Sequence, residues 1–502
     1  MSEQDVIATL KHFAGRKPVF RLSEVKQSLA DERPIPELAA AIEPLLPDLD
    51  LTLHARDGDY DLVRLPAPQP LRPVDDARQR QEVFLRSPAV PDTMQRLLEA
   101  YIEKKTGKPW DDPVVLDRLR NAIVAQKSRY WKEKSVSYKK GYHVLGYLAY
   151  HAPVYLVQFE HILWQLMEDG LLKDRMRVLD VGSGPGMVPL ALIDLLGRIG
   201  GGEAHLFAVE RSEENIEAYS ALVPPAAEAA GVRVTVEQPI GADLRSLSMD
   251  EIPDRIDLMV FSNVLSELRQ MTVDERADLL ARLAGRLADD GTIVVIEPAD
   301  LANSTMLRRT VRAALDRGLT VYRPCSFIWG TPCSPARCWT FEQKGDIRPP
   351  RLMRRLAEGP EAYRFKNTDI KYSSAVLRKD QRTHCDYRVP PQAKFARLSQ
   401  LRRHRNRRIN VVAAVMSGNL GGAGSEVYKI CDGTAASPAY AVVPGYLKGE
   451  SREVLQQTPY GGIVQFYGVT VRYNKEHDAY NLVVQPETRI ERVSADSGAD
   501  SC

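Results

Sequence analysis

Residues 178–186 read Val178-Leu179-Asp180-Val181-Gly182-Ser183-Gly184-Pro185-Gly186. A short apolar run ends in an acid, and a glycine-rich turn follows. Glycine tolerates left-handed torsions and lets the main chain approach a ligand closely. A helix is expected next, over Val188 to Leu196. Further on, Ala204 to Val209 reads as a second strand that ends at Glu210, and a helix is expected near Asn215 to Leu222. Val234-Thr235-Val236 and Ile256 to Phe261 are the third and fourth strands. Asp274 to Leu287 is a helix, and Gly291 to Ile296 a fifth strand. Alternating strands and helices predict an α/β, Rossmann-like core with a parallel sheet wrapped by helices.

An acid at the tip of the second strand can accept both hydroxyls of a ribose. That placement also serves NAD, so a dehydrogenase competes. The spacing D-x-G-x-G-x-G resembles the first motif of class I S-adenosylmethionine (SAM) methyltransferases more than G-x-G-x-x-G. On that resemblance residues 173–320 are expected to bind SAM through Asp180, Gly182, Ser183, Gly184, Gly186, Glu210, Asp243 and Leu244. In such enzymes an acid at the position of Asp243 usually faces the adenine amino group. The loop Ser262-Asn263-Val264-Leu265-Ser266-Glu267-Leu268 lies at the carboxyl edge of the sheet, where this fold places ligands. Asn263 is the candidate for lining the methyl-donor and substrate cleft; the competing reading is a simple turn residue. The motif D/N-P-P-Y/F of amino-directed methyltransferases is absent. Pro324-Cys325 lies beyond the fifth strand, a poor position for cytosine C5 chemistry. The pattern thus gives a cofactor pocket without a clear base. Methyl transfer can run by positioning alone, and a non-catalytic SAM-binding scaffold is equally compatible.

The chain of 502 residues is long enough for about three domains. Residues 1–65 combine three short helical patterns with two strands across Arg56-Asp57-Gly58-Asp59, a hairpin signal. They predict a small winged-helix-like α+β module, against a helical docking domain as the alternative. Pro66 to Pro73 reads as a linker, and residues 75–172 as a helical lead-in. Within it, Lys132, Lys134, Lys139 and Lys140 lie among Tyr130, Trp131 and Tyr138, a mixture suited to RNA contact or to a solvated face. From 405 to 493 about five short strands fit an OB-like β-barrel, and Ser494 to Cys502 are expected to be disordered. The N-terminus has no secretory signal, and no apolar run of about 18 residues is present. A soluble, cytoplasmic protein without membrane contact is expected. Between Leu301 and Asn410 stand 25 Lys and Arg against 8 Asp and Glu. A local excess of roughly +17 favours a polyanion partner, against a bare solvated basic face.

Cys325, Cys333 and Cys338 form C-x7-C-x4-C in the basic segment 321–400. Cys385 is the preferred fourth ligand, with His384 and Cys431 as runners-up. All-thiolate ligation fits a [4Fe–4S] cluster or zinc. The wide spacing leans towards iron–sulfur, since zinc sites usually show C-x2-C pairs. Unligated thiols are the third alternative.

These features together resemble the methyltransferase-like family associated with the small ribosomal subunit, whose mitochondrial members act in mitoribosome assembly. The resemblance covers roughly residues 140–390. It rests on Tyr147-Leu148-Ala149-Tyr150-His151-Ala152-Pro153-Val154-Tyr155, the loop Leu179 to Gly186, Ile296-Glu297-Pro298, the segments Pro324-Cys325, Pro332-Cys333 and Cys338-Trp339-Thr340-Phe341, and Lys371 to Arg378. His151 replaces a usual arginine, and the histidines of the family's cysteine segment are missing. The resemblance implies a SAM fold, a four-cysteine [4Fe–4S] cluster and a partner in small-subunit ribosomal RNA or the pre-ribosome. On this reading the protein is an RNA-directed methyltransferase. The alternatives are a non-catalytic ribosome assembly factor and a protein-directed methyltransferase.

Overall fold

The computed structural model describes residues 3–46, 49–74, 76–132, 141–359 and 361–493. The chain divides into two compact units, Met1–Gln69 and Pro70–Cys502.

The first unit runs α1 (Glu3–Ala14), β1 (Val19–Arg21), α2 (Leu22–Leu29), α3 (Ile35–Ile42), β2 (Leu51–Arg56) and β3 (Asp59–Arg64). Its sheet order is β1-β3-β2, with β1 antiparallel to β3 and β3 to β2. Three helices with a terminal hairpin and an inserted short strand make a winged-helix topology. Apolar residues at helical spacing on α1 to α3 meet the inward residues of the strands, so Leu10, Leu22, Val25, Leu38 and Leu62 share one core. Asp57 and Gly58 both take positive φ at the hairpin tip, as a two-residue turn between twisted strands requires.

The second unit opens with α4 (Ala77–Arg86), α5 (Asp92–Thr106), α6 (Pro113–Lys132), α7 (His143–Tyr150) and α8 (Ala152–Glu168). Tyr130, Trp131 and Lys132 end α6, whereas Lys134, Tyr138, Lys139 and Lys140 lie outside the described residues, as does the tail from Ser494. The α/β core follows as β4 (Arg175–Val181), α9 (Met187–Ile199), β5 (Glu203–Glu210), α10 (Glu213–Ala230), β6 (Arg233–Val236), β7 (Ile240–Gly241), β8 (Ile256–Ser262), α11 (Val273–Ala284), β9 (Leu287–Pro298), α12 (Leu301–Leu315) and β10 (Thr320–Arg323). After β11 (Glu342–Lys344) and α13 (Arg351–Leu356), β12 (Ile370–Arg378) returns to the sheet. The main order is β10-β12-β9-β8-β4-β5-β6. Neighbours from β9 to β6 are parallel, while β12 runs antiparallel to β9 and β10. A parallel sheet closed by one antiparallel strand inserted next to its edge is the class I SAM methyltransferase topology. Strand order reverses between β4 and β8, so the crevice outside their carboxyl ends is where ligands bind. Both sheet faces are covered, which explains the near-continuous apolar runs of β8 and β9.

The chain finishes in a barrel. Its strands are β13 (Arg408–Val415), β14 (Ser425–Cys431), β15 (Ala439–Pro444), β16 (Ile463–Asn474), β17 (Ala479–Val483) and β18 (Arg489–Arg492), with α14 (Glu450–Gln457) between β15 and β16. The order β13-β14-β15-β17-β16 closes through β13–β16 pairing, and β15 lies parallel to β17. This closed five-stranded path, with a helix before its fourth strand, is an OB-fold. Phe466, Val469, Val471 and Leu482 fill the interior. Lead-in, sheet, cysteine segment and barrel belong to the same compact unit. Among the described residues no helix is long and apolar enough to cross a membrane.

Candidate functional site

The glycine turn joins β4 to α9, and Gly182, Gly184 and Gly186 have φ of +71°, +54° and +92°. Two of them are also forced by packing. A Cβ on Gly182 would stand 2.7 Å from Val264, and one on Gly186 2.5 Å from Val223. A Cβ on Gly184 would meet nothing within 4 Å, so this glycine faces open space. The amides of Gly182 and Ser183 donate to the Val209 carbonyl at 2.8 and 3.1 Å. Glu210 then clamps the turn: its Oε2 accepts from the Gly184 amide and its Oε1 from the Ser212 amide, both at 2.8 Å.

Asp180, one step before the turn, is buried, and neither carboxylate oxygen has a hydrogen-bond partner among the described residues. Burial, and then the neighbouring Glu210, raise its pKa well above the carboxylate range. The Tyr219 hydroxyl beside it is likewise buried without such a partner. Glu267 stands exposed on the loop after β8, with Glu210 and Arg211 as charged neighbours. A glycine turn flanked by Asp180, without a hydrogen-bond partner among the described residues, and by the clamped Glu210 suits a ligand that brings N–H or O–H donors. SAM supplies an ammonium, a sulfonium and two ribose hydroxyls.

The other expected pocket residues fall in different settings. Ser183 is buried in the turn. Asp243 follows β7, and its carboxylate accepts from Arg245 Nε at 2.9 Å and Nη2 at 2.6 Å. That hydrogen bonding lowers its pKa to about 2. A ligand amine would have to share Asp243 with Arg245. The Leu244 side chain enters the hydrophobic core with Leu247 and Ile252 instead of the crevice. Asn263 sits at the carboxyl end of β8 in left-handed backbone (φ +59°), and its amide donates to Ile296 O at 2.8 Å. Asparagine is among the few residues that tolerate this conformation, so part of its role is that of a turn.

The pattern of residues alone does not disclose the function of Glu297. It is fully buried at the end of β9 and accepts from the amides of Leu265 at 2.8 Å and Ser266 at 3.3 Å. Burial pushes its pKa up to about 7. It thereby fixes the loop that carries Asn263 and Glu267. The available signal is an acid closing the apolar run Ile293 to Ile296, since a buried carboxylate needs donors.

The cysteine segment lies between β10 and β11 and packs on the barrel. Cys325, Cys333, Cys338 and Cys431 are free thiols. Burial pushes the Cys325 thiol up to about 12 and raises that of Cys431 well above its usual range. The Cys338 amide donates to Thr305 Oγ1 at 3.2 Å. Cys385 departs from expectation. It is disulfide-bonded and buried with Ile328, Val389, Val412 and Met416. The remaining free thiol, Cys431, stands at the end of β14, where the barrel docks on the segment. Trp329 Nε1 donates to Asp432 at 3.0 Å, and an added Cβ on Gly461 would lie 3.2 Å from Pro324. His384 is engaged with Arg323 and Asp169. Among the described residues no group of three or more His, Cys, Asp or Glu is arranged to hold a metal ion.

The family described as the C-terminal domain of a domain of unknown function, DUF8157, matches residues 399–493, the barrel with its lead-in. No curated protein matches the chain. Among solved structures, a TehB-like SAM-dependent methyltransferase from Corynebacterium glutamicum is 16% identical, covering 42% of this chain and 86% of its own, with a TM-score of 0.23. A SAM-dependent methyltransferase from Leishmania major is 13% identical, covering 55% of this chain and 90% of its own, with a TM-score of 0.27. Strand order and the glycine turn, rather than these likenesses, carry the fold assignment.

Proposed function

We propose that this chain is a SAM-dependent methyltransferase-like protein that acts on ribosomal RNA or in assembly of the small ribosomal subunit, in a cytoplasmic setting. The observation that carries the reading is the buried, unpartnered Asp180 carboxylate beside Glu210 at an open glycine turn. Asp180 and Glu210 would hold the cationic, hydroxyl-bearing cofactor, and Gly184 would allow its close approach. The cofactor supplies an activated methyl group. The chain's contribution is to orient it at the carboxyl edge, where Asn263 and Glu267 line the way in.

RNA as the partner is supported by the exposed arginines Arg402, Arg403, Arg405, Arg407 and Arg408 at the entry to an OB-fold. Arg405 lies 4.1 Å over the Tyr473 ring, next to the connection between the last two strands of the closed barrel. We further propose that Cys325, Cys333, Cys338 and Cys431 bind a [4Fe–4S] cluster. What supports this reading is donor chemistry: Cys325, Cys333, Cys338 and Cys431 are free thiols, and the end of the strand that carries Cys431 docks on the segment that carries the other three. Zinc remains the alternative occupant.

The test is calorimetric titration with SAM, followed by transfer of labelled methyl groups to immature small-subunit RNA. Binding with transfer supports an enzyme. Binding without transfer supports the second reading, a non-catalytic assembly factor. Label on protein instead of RNA would favour a protein substrate. No SAM binding overturns the proposal.

A further inference from the structure

We propose that single-stranded RNA runs over the outer face of β16, past Tyr467, Thr470 and Arg472, and not over the side of β14 and the β13–β14 connection. OB barrels ordinarily take oligonucleotides on their second and third strands and the adjoining connections. The inference rests on the RNA reading above and names the surface that would carry it.

The ordinary side is already occupied. Tyr428 and Ile430 point into the barrel, so Lys429 between them points out of β14, yet it is only 6% exposed. An added Cβ on Gly418, in the β13–β14 connection, would lie 3.6 Å from Gln343 of β11. One on Gly433, just past β14, would lie 3.9 Å from Phe327. Trp329 Nε1 donates to the neighbouring Asp432 at 3.0 Å. The cysteine segment and β11 thus cover β14 and the connection that leads into it.

The outer face of β16 is different. Phe466, Val469 and Val471 fill the barrel interior. The pairing of β13 with β16 shifts register between Phe466 and Val469, with Gly468 at φ +80° and its amide donating to Asn410 Oδ1 at 3.0 Å. This bulge leaves Tyr467, Thr470 and Arg472 all on the outside. Opposite them on neighbouring strands stand Arg489, Arg408 and Asn481. The arginine run joins the same surface: the Asn406 amide donates to Val471 O at 2.8 Å and the Val471 amide to Arg407 O at 3.0 Å. Arg489 lies 4.6 Å over the Tyr467 ring, and unpaired bases stack on guanidinium planes and aromatic rings. A duplex keeps its bases stacked inside, so such a platform suits a single strand. Arg472 is exposed, and its Nη1 donates to the neutral Asn406 Oδ1 at 2.6 Å. The acids on this face, Glu487 and Glu491, are exposed and pair with Arg408 and Arg489, each at 3.1 Å. Exposed pairs contribute little, so a phosphate can take their place.

The experiment titrates the full chain into a fluorescein-labelled, mixed-sequence RNA of about 15 nucleotides, single-stranded or annealed to its complement. Anisotropy is read over a range of potassium chloride concentrations. Wild type should bind the single strand more tightly than the duplex. The double variant Arg472→Gln, Arg489→Gln should bind it roughly tenfold more weakly near physiological salt, with a slope of log affinity against log salt shallower by about 1.4. Both side chains are exposed, so the variant keeps its core, and an unchanged denaturant midpoint checks that. The double variant Arg472→Lys, Arg489→Lys keeps the charge and should keep the wild-type slope. Leu420→Glu puts an acid on an exposed position of the β13–β14 connection and should leave binding unchanged. Wild-type binding that survives the double Gln variant, or that Leu420→Glu weakens instead, overturns the inference and leaves the RNA reading standing. Preference for the duplex also overturns it. A wild type that binds neither RNA overturns the RNA reading and the inference with it.

Discussion

Glu210 accepts the amide hydrogen of Gly184 at 2.8 Å, so the acid at the tip of β5 braces the glycine turn at the tip of the adjacent β4. The same carboxylate reaches the Ser212 amide with its other oxygen. Glu210 therefore has two tasks, shaping the turn and presenting negative charge to a ligand. Replacing it by Ala removes both. Hydrogen bonds to charged groups contribute ~1.5–3 kcal/mol each, so Glu210→Ala should weaken SAM binding at least tenfold in calorimetry. Undiminished affinity would remove Glu210 from the pocket.

The three glycines should separate by what surrounds them. Gly186→Ala combines left-handed strain of ~1–2 kcal/mol with overpacking of ~1–3 kcal/mol against Val223. It should lower the unfolding midpoint in denaturant clearly. Gly184→Ala meets only the strain, because its Cβ points into open space. Gly184→Asp should leave most of the stability intact yet abolish SAM binding, since its side chain enters the crevice. Equal SAM binding by Gly184→Asp and wild type would refute the pocket.

Glu297 gives a pH signature. Its folded pKa is raised to about 7, chiefly by burial. The native state thus holds a proton that the unfolded chain releases near the ordinary glutamate value of about 4.3. Native chains bind more protons between those values, so this contribution is fully present at low pH and is lost as pH rises towards 7. Glu297→Gln cannot ionise and keeps one carbonyl acceptor for the Leu265 amide. Denaturant unfolding at several pH values should show a shallower fall in stability between about pH 4.3 and 7 in that variant. Parallel curves would show that Glu297 does not titrate in this window.

The arginines before β13 should act through salt dependence. Arg402, Arg403 and Arg407 are exposed. Removing one arginine–phosphate pairing lowers the slope of log affinity against log salt by about 0.7 for a single strand. The triple Gln variant should therefore bind single-stranded RNA more weakly and with a slope shallower by about 2. An unchanged slope would move RNA to another surface or exclude it.

Local patterns foretell much of the architecture. Asp180 to Gly186 shows a strand, a turn and a helix because glycine spacing and apolar runs are local properties. The winged-helix and OB topologies are also legible, from a short hairpin signal and from closely spaced strands. Elsewhere the missing information is long-range. Nearness in sequence favours Cys385 as fourth ligand; the chain leaves it disulfide-bonded, in an apolar cluster against which the free thiol Cys431 of a barrel strand also packs. Motif position assigns Leu244 to the pocket, but the core claims its side chain.

The sequence by itself determined the order of strands and helices, the glycine turn and the acids at two strand tips. Backbone torsion preferences and apolar periodicity act over a few residues and need no knowledge of the rest of the chain. Tertiary structure alone decided that Asp180 is left without a hydrogen-bond partner among the described residues, that Glu297 anchors the Asn263 loop, and that the end of β14 with Cys431 meets a segment about a hundred residues earlier. Burial and charge pairing depend on which surfaces come together, and only packing the barrel against the sheet brings those surfaces together.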